Sequence, residues 1–215
     1  MMNNPFVITM SREIGSGAAC VGKQIAKRLD ISYVDREILA EAAKHFMLPE
    51  GELESIEERT PHFWQNLFKS GTYVPPEIMV NPPVYLPTDR ELFETESKII
   101  ARVAREYSSV VIGRGGSDVL KDHPRLLSVF LHADLSFRLK RVQEMFRLSE
   151  KAAKAFIEKT DNERARYLQA FTGRDWKDLR QYHLSINTAV IGFQETEELI
   201  IACAKARFGI PANSD

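Results

Sequence analysis

The chain is poor in cysteine, in long apolar runs and in any excess of charge, and each shortage removes a class of protein. Cys20 and Cys203 are the only two cysteines in 215 residues, far apart and in no metal-ligand or redox spacing. Two reduced thiols in a cytoplasmic protein are the expectation. No stretch approaches the roughly 20 consecutive apolar residues of a membrane span. The opening segment, MMNNPFVITMSRE, lacks a basic start followed by a long apolar run, so it reads as a first strand and not a signal peptide. A net charge of -1 gives no electrostatic reason to bind nucleic acid or an anionic membrane surface. The five histidines (45, 62, 123, 132 and 183) show no clustered ligand spacing. Repeats and low-complexity tracts are absent.

What remains is an ordinary globular composition, 44% hydrophobic and 27% charged, in a chain long enough to bury a full core as one domain. FVITM (6–10) is a short β-rich run that ends in a polar, glycine-rich segment. Val21, Ile25, Ala26 and Leu29 then recur at helical spacing. ISYV (31–34) reads as a second strand and REILAEAAKHF (36–46) as a second helix. After a capped helix over 89–107, strands are expected at 110–116, 126–133 and 183–190, with helices over 135–146, 149–171 and 195–208. Five strands alternating with helices predict an α/β, doubly wound parallel sheet.

Residues 47–88 differ. Pro75, Pro76, Pro82, Pro83 and Pro87 exclude a central strand or a long helix. Trp64, Phe68, Tyr73 and Tyr85 argue against disorder, so the stretch reads as a structured insertion or flap.

The glycine-rich segment carries the chemistry. Gly17-Ala18-Ala19-Cys20-Val21-Gly22-Lys23 has the spacing Gly, four residues, Gly-Lys. In such a loop, backbone N–H groups curl around phosphate oxygens, the next helix offers its positive N-terminus, and the lysine reaches the outer phosphates. The same residues also suit a glycine-rich turn with a surface lysine. Gln24 stands where a Ser or Thr hydroxyl would contact nucleotide-bound Mg²⁺. Ser16 and Ser11 are the nearest hydroxyls.

With these pieces in order, the chain resembles the cytidylate kinase-like family of P-loop nucleoside-monophosphate kinases. The resemblance rests on ITMSREIGSGAACVGKQIAKRL, YVDREIL, VVIGRGG, VFLHADLSFRLKRV, IEKTDNERARY and YHLSINTAV, and runs from about Ile8 to Ile201. It implies a P-loop NTPase-type three-layer sandwich of about five parallel strands with helices on both faces. A single domain, 1–215, would carry an acceptor-side insertion at 47–88 and a helical lid over about 149–170. It further implies transfer of the γ-phosphate of ATP, with Mg²⁺, to CMP or dCMP. Ser16 to Gln24, including Ala18, Ala19, Cys20 and Val21, would then cradle the donor, with Lys23, Gly17 and Gly22 at its β- and γ-phosphates. Asp35 and Arg36 would open the acceptor site, and Arg114 would hold the acceptor phosphate. Arg138 and Arg141 would serve the base and phosphates of ATP. Lys159 and Arg164 would reach the phosphates when the lid closes, and Asn187 and Thr188 would pass the adenine.

Each assignment has a plain alternative. Asp35 could be a helix N-cap, Arg114 a surface arginine, Arg138 and Arg141 a solvated helix face, and Asn187 and Thr188 a strand end. The sequence also departs from the family pattern: Ile112 occupies an acidic position, and His183 stands where related chains carry Asp. With Gln24, this leaves the metal ligands unassigned. Two other functions fit the same residues: a nucleotide-binding regulatory protein without turnover, and a kinase of a non-nucleotide small molecule. The aromatics of the insertion would suit a homodimer contact.

Overall fold

The computed structural model describes residues 4–46 and 89–211. The insertion reading for 47–88, with Trp64, Phe68, Tyr73 and Tyr85, lies outside the described residues. The elements in chain order are β1 (Val7–Arg12), α1 (Ala18–Leu29), β2 (Ser32–Val34), α2 (Arg36–Phe46), α3 (Asp89–Glu106), β3 (Ser109–Ile112) and α4 (Gly116–Val119). They continue with β4 (Leu126–His132), α5 (Leu135–Phe146), α6 (Glu150–Thr172), a 3₁₀ turn (Leu179–Gln181), β5 (Leu184–Asn187), α7 (Thr188–Ile191) and α8 (Phe193–Phe208).

The five strands form one parallel sheet in the order β2-β3-β1-β4-β5. Helices cover both faces, which explains why the central strands are continuously apolar. On one face, Ile8, Met10, Ile112, Val129 and Leu131 meet Val21 and Ile25 of α1 and Ile200 and Ala204 of α8. On the other, Val7, Val34 and Val111 meet Leu39 of α2 and Ile99, Ile100 and Val103 of α3. This is the α/β sandwich of P-loop proteins, with β1 at its centre.

Strand ends are set by backbone geometry that apolar runs do not reveal. The run 110–116 stops being strand at Ile112, because Gly113 (φ 73°), Arg114 (φ 54°) and Gly115 (φ 68°) turn in the left-handed region and lead into α4. The run 183–190 holds only the short β5; Asn187 caps α7, its Oδ1 accepting from the Ala189 N–H at 3.1 Å. A larger correction concerns α1. It starts at Ala18, with Gly17 (φ 86°) as its N-cap, so residues 18–24 are helix and the loop is the segment before them.

Candidate active site

The loop between β1 and α1 runs from Glu13 to Gly17 and turns its carbonyls into the protein. Five consecutive carbonyls, those of residues 12 to 16, each accept a hydrogen bond from a side chain. Arg164 donates to the Arg12 carbonyl (3.1 Å), the Ser16 hydroxyl to Glu13 (2.8 Å) and Arg138 to Ile14 (3.5 Å). Arg141 donates to Gly15 (3.1 Å) and the Thr188 hydroxyl to Ser16 (2.9 Å). A peptide whose carbonyl faces inward presents its N–H the other way. Of the loop's N–H groups, those of Glu13, Ile14 and Ser16 are bonded to Leu131, Asp161 and Glu13, which leaves a short curl of amide donors, those of Gly15 and Gly17, continuous with the N-terminus of α1, which has no side-chain cap. Such a nest attracts oxyanions.

The glycines are required here. A Cβ at Gly17 would stand 2.3 Å from the Phe193 ring, and one at Gly15 would press on Arg138 at 3.1 Å. Phe193 also stacks under Arg141, whose guanidinium lies 4.4 Å from the ring centroid. Gly22 has another reason to be glycine: a Cβ there would meet Ile112 at 2.7 Å, so this residue lets α1 pack on β3.

Next to the loop, at the carboxyl ends of β1 and β3, lies a cavity of about 280 Å³. Arg12, Arg36, Arg114 and Arg164 line it, with Ser11, Gly113, Tyr167 and Trp176 among the other walls. The arginines differ in how they are balanced. Arg114 donates its Nε to buried Glu96 at 2.7 Å, is bonded to it again through Nη2, and lies over the Tyr167 ring at 4.3 Å. Tyr167 also donates to Glu96 at 3.2 Å. Burial raises the Tyr167 phenol above its usual range, so it stays a proton donor. Arg36 is exposed at the rim. Burial lowers the pKa of Arg164, with Asp161 at 3.6 Å opposing the shift. Arg12 is pushed down to about 10, first by burial and then by Arg164.

Helix α6 is tied to the loop through Asp161. Its Oδ1 accepts the Ile14 N–H at 2.9 Å and its Oδ2 accepts buried Arg138 at 2.5 Å. Glu13 joins them, 3.4 Å from Arg138 and 3.1 Å from Lys177. Helix α6 thus holds the loop's backbone directly.

Several expected site residues fall elsewhere. Lys23 lies in the second turn of α1, exposed, with Nζ 5.4 Å from the Tyr33 ring centroid. Of the expected cradle, Ala18, Ala19 and Cys20 form the first turn of α1, at the end of the curl, whereas Val21 is core and Gln24 is exposed on the helix beyond that turn. Ser16 and Gly17 do lie in the loop. Asp35 caps α2, accepting from the N–H groups of Glu37 (3.0 Å) and Ile38 (3.2 Å). Lys159 is exposed and pairs loosely with Glu163 at 3.9 Å. Arg138, Arg141 and Thr188 reach the loop but bind its backbone. Sequence reading missed Arg12, Glu13, Glu96, Tyr167 and Phe193. SRE directly after a buried strand was the available signal for the first two.

The amide curl fits a polyphosphate. The carboxylates nearest the loop do not fit a preformed metal site: Glu13 and Asp161 are bound to cations, and among the described residues no group of three or more His, Cys, Asp or Glu is placed to hold an ion. A divalent ion would have to be carried on the phosphates.

A family model described as the cytidylate kinase-like family matches residues 7–190. No curated protein matches the chain. Among solved structures, an uncharacterized protein from Eubacterium ventriosum is similar over 94% of this chain and 99% of its own, at 24% identity and a TM-score of 0.71. TT1252 from Thermus thermophilus is similar over 95% and 98%, at 16% identity and a TM-score of 0.50. A shikimate kinase from Bacteroides thetaiotaomicron aligns over 95% and 99%, at 14% identity and a TM-score of 0.49. At these identities the likeness is one of fold. No described helix is long and apolar enough to cross a membrane.

Proposed function

The chain belongs to the cytidylate kinase-like family, and from that premise we propose that it transfers the γ-phosphoryl group of ATP to a small acceptor, a nucleoside monophosphate such as CMP or dCMP. An oxygen of the acceptor phosphate attacks the γ-phosphorus, the bond to the β,γ-bridging oxygen breaks, and ADP leaves with the electron pair. A phosphate acceptor is already an anion at neutral pH, so no general base is needed. Positioning and positive charge then supply most of the rate.

One observation carries this reading: the five inward-turned carbonyls of residues 12–16, with an arginine-lined cavity beside them. The curl suits the donor's phosphates and the cavity suits an anionic acceptor. Among the described residues that line the cavity, Glu163 is the one carboxylate, and it is exposed and faces Lys159. That favours a phosphate over a hydroxyl, which needs a base to take its proton. Mg²⁺ bound to the donor would neutralise phosphate charge during transfer. Residues Ser16 and Gly17 serve the donor, and Arg114 and Arg36 the acceptor.

A second reading, nucleotide binding without turnover, is favoured by the place of Lys23, which leaves the loop without the lysine its spacing suggested. The two are separated by ADP formation from ATP and Mg²⁺ over a panel of nucleoside monophosphates with a no-acceptor control. Turnover dependent on CMP or dCMP is expected; tight ATP binding with no turnover on any acceptor would favour the second reading.

A further inference from the structure

Both partners of the buried ion pair between α5 and α6 also bind the backbone of the loop. Asp161 uses its two oxygens separately: Oδ1 accepts the Ile14 N–H at 2.9 Å and Oδ2 accepts Arg138 at 2.5 Å. Arg138 donates in turn to the Ile14 carbonyl at 3.5 Å. Two successive peptide planes are therefore held in opposite senses, the plane joining residues 13 and 14 by its N–H and the plane joining 14 and 15 by its carbonyl. Holding the second plane sets the direction of the Gly15 N–H, one of the loop's two remaining amide donors. The Ile14 side chain packs on the same hairpin, against Val142 of α5 and Ala153 and Ile157 of α6.

We propose that Asp161 and Arg138 are positioning residues, which preform the loop so that the Gly15 amide faces the donor's phosphates before nucleotide arrives, without touching the nucleotide themselves. This deepens the function proposed above and rests on it for the identity of the donor, though not for the grip on the loop. Gly15, at φ 86°, has the backbone freedom of glycine, so its own sterics do not fix where its N–H points. The fixing has to come from outside, and a Cβ on Gly15 would press on Arg138 at 3.1 Å, which shows how closely the pair seats the loop. Stability alone is a weak reason for such a pair, because apolar side chains of similar volume serve a core as well or better. What apolar side chains lack is the two directed hydrogen bonds to the backbone. A site held in its binding conformation in advance loses less freedom when the ligand binds.

The test is made on the full chain, with ADP affinity measured by calorimetric titration and hydrogen exchange of the Ile14 amide measured by NMR. Asp161→Asn is close to isosteric, but its one acceptor cannot serve two donors, Ile14 N–H and Arg138. It also removes a negative charge near the loop, so Coulomb attraction alone predicts tighter ADP binding. Positioning predicts the opposite: ADP binding weaker by about tenfold or more, and Ile14 exchange faster by at least about tenfold. Val103→Ala, in the core between α3 and the sheet, is the control. It should lower the unfolding temperature and leave both readouts as in wild type, because lost stability alone does not reach the loop. If Asp161→Asn does not fold, the double variant Arg138→Met with Asp161→Leu decides. It removes one charge of each sign and leaves no unpaired buried partner, so it should unfold near the wild-type temperature while binding ADP about tenfold more weakly. ADP affinity equal to or tighter than wild type in either folded variant overturns the proposal, as does a double variant that fails to fold, since the pair would then be needed for the fold itself. ADP failing to bind wild type would count against the proposed donor. The grip on the loop would then be read from exchange alone, and unchanged Ile14 protection in the variant would refute it.

Discussion

Gly113 lies directly beneath the Arg12 guanidinium, and a Cβ on residue 113 would stand 1.9 Å from Nη1. Its φ of 73° adds a conformation that alanine adopts only under strain. Gly113→Ala should therefore lower stability by about 1–2 kcal/mol. The flexible end of Arg12 would move aside to admit the methyl group, so acceptor KM should rise while ATP affinity stays near that of wild type. Chemical denaturation and steady-state kinetics on the same preparation would check both; unchanged stability would refute the strain.

Gly17 makes the corresponding contact at the end of the loop before α1. It caps α1 at φ 86°, and a Cβ would stand 2.3 Å from the Phe193 ring, which belongs to the first turn of α8. A ring in that position cannot swing away without disturbing its stack with Arg141. Gly17→Ala should cost about 2–3 kcal/mol and weaken ATP binding. Calorimetric titration of ATP would show it; binding equal to wild type would mean that the loop tolerates the methyl group.

Lys23 is exposed in the second turn of α1, over Tyr33. Lys23→Ala should leave stability within about 0.5 kcal/mol of wild type. A hydrogen bond to a charged phosphate is worth about 1.5–3 kcal/mol, or tenfold and more in affinity. ATP affinity in Lys23→Ala should fall by less than that. A larger loss would mean that the side chain reaches the phosphates when nucleotide is bound.

The sheet was legible because a parallel strand buried on both faces must be apolar along its length, as VITM, SVVI and LLSVFLH are. Helical periodicity revealed α5, α6 and α8 for the matching reason. The loop was misplaced because Gly17, Gly22 and Lys23 reproduce a phosphate-loop spacing by coincidence of two packing needs. Gly17 relieves Phe193, and Gly22 lets α1 meet Ile112. Spacing alone does not say which glycine turns the chain. The roles of Arg138, Arg141 and Thr188 were equally hidden: each lies near the loop as expected, but each binds a backbone carbonyl, a partner with no signature in the side-chain sequence. Glu96 as the counter-ion of Arg114 joins residues 18 positions apart through the tertiary fold.

His183 gives a pH dependence whose direction follows from its bonds. Its Nδ1 accepts the Ser128 N–H at 2.9 Å, so the folded ring is neutral at that atom. Burial, and then Arg207, lower its pKa from the usual 6.5. Above that value neither the folded nor the unfolded chain holds the proton. Below it, the unfolded chain binds a proton that the folded chain refuses, so stability falls as pH drops through the unfolded pKa. In His183→Gln this contribution is missing. Wild type should be the more stable at about pH 7.5, and its advantage should narrow toward about pH 5.5. Denaturation of the two proteins side by side at several pH values measures that gap; one that stays constant or widens on acidification would show that His183 is protonated in the folded state, against the Ser128 bond.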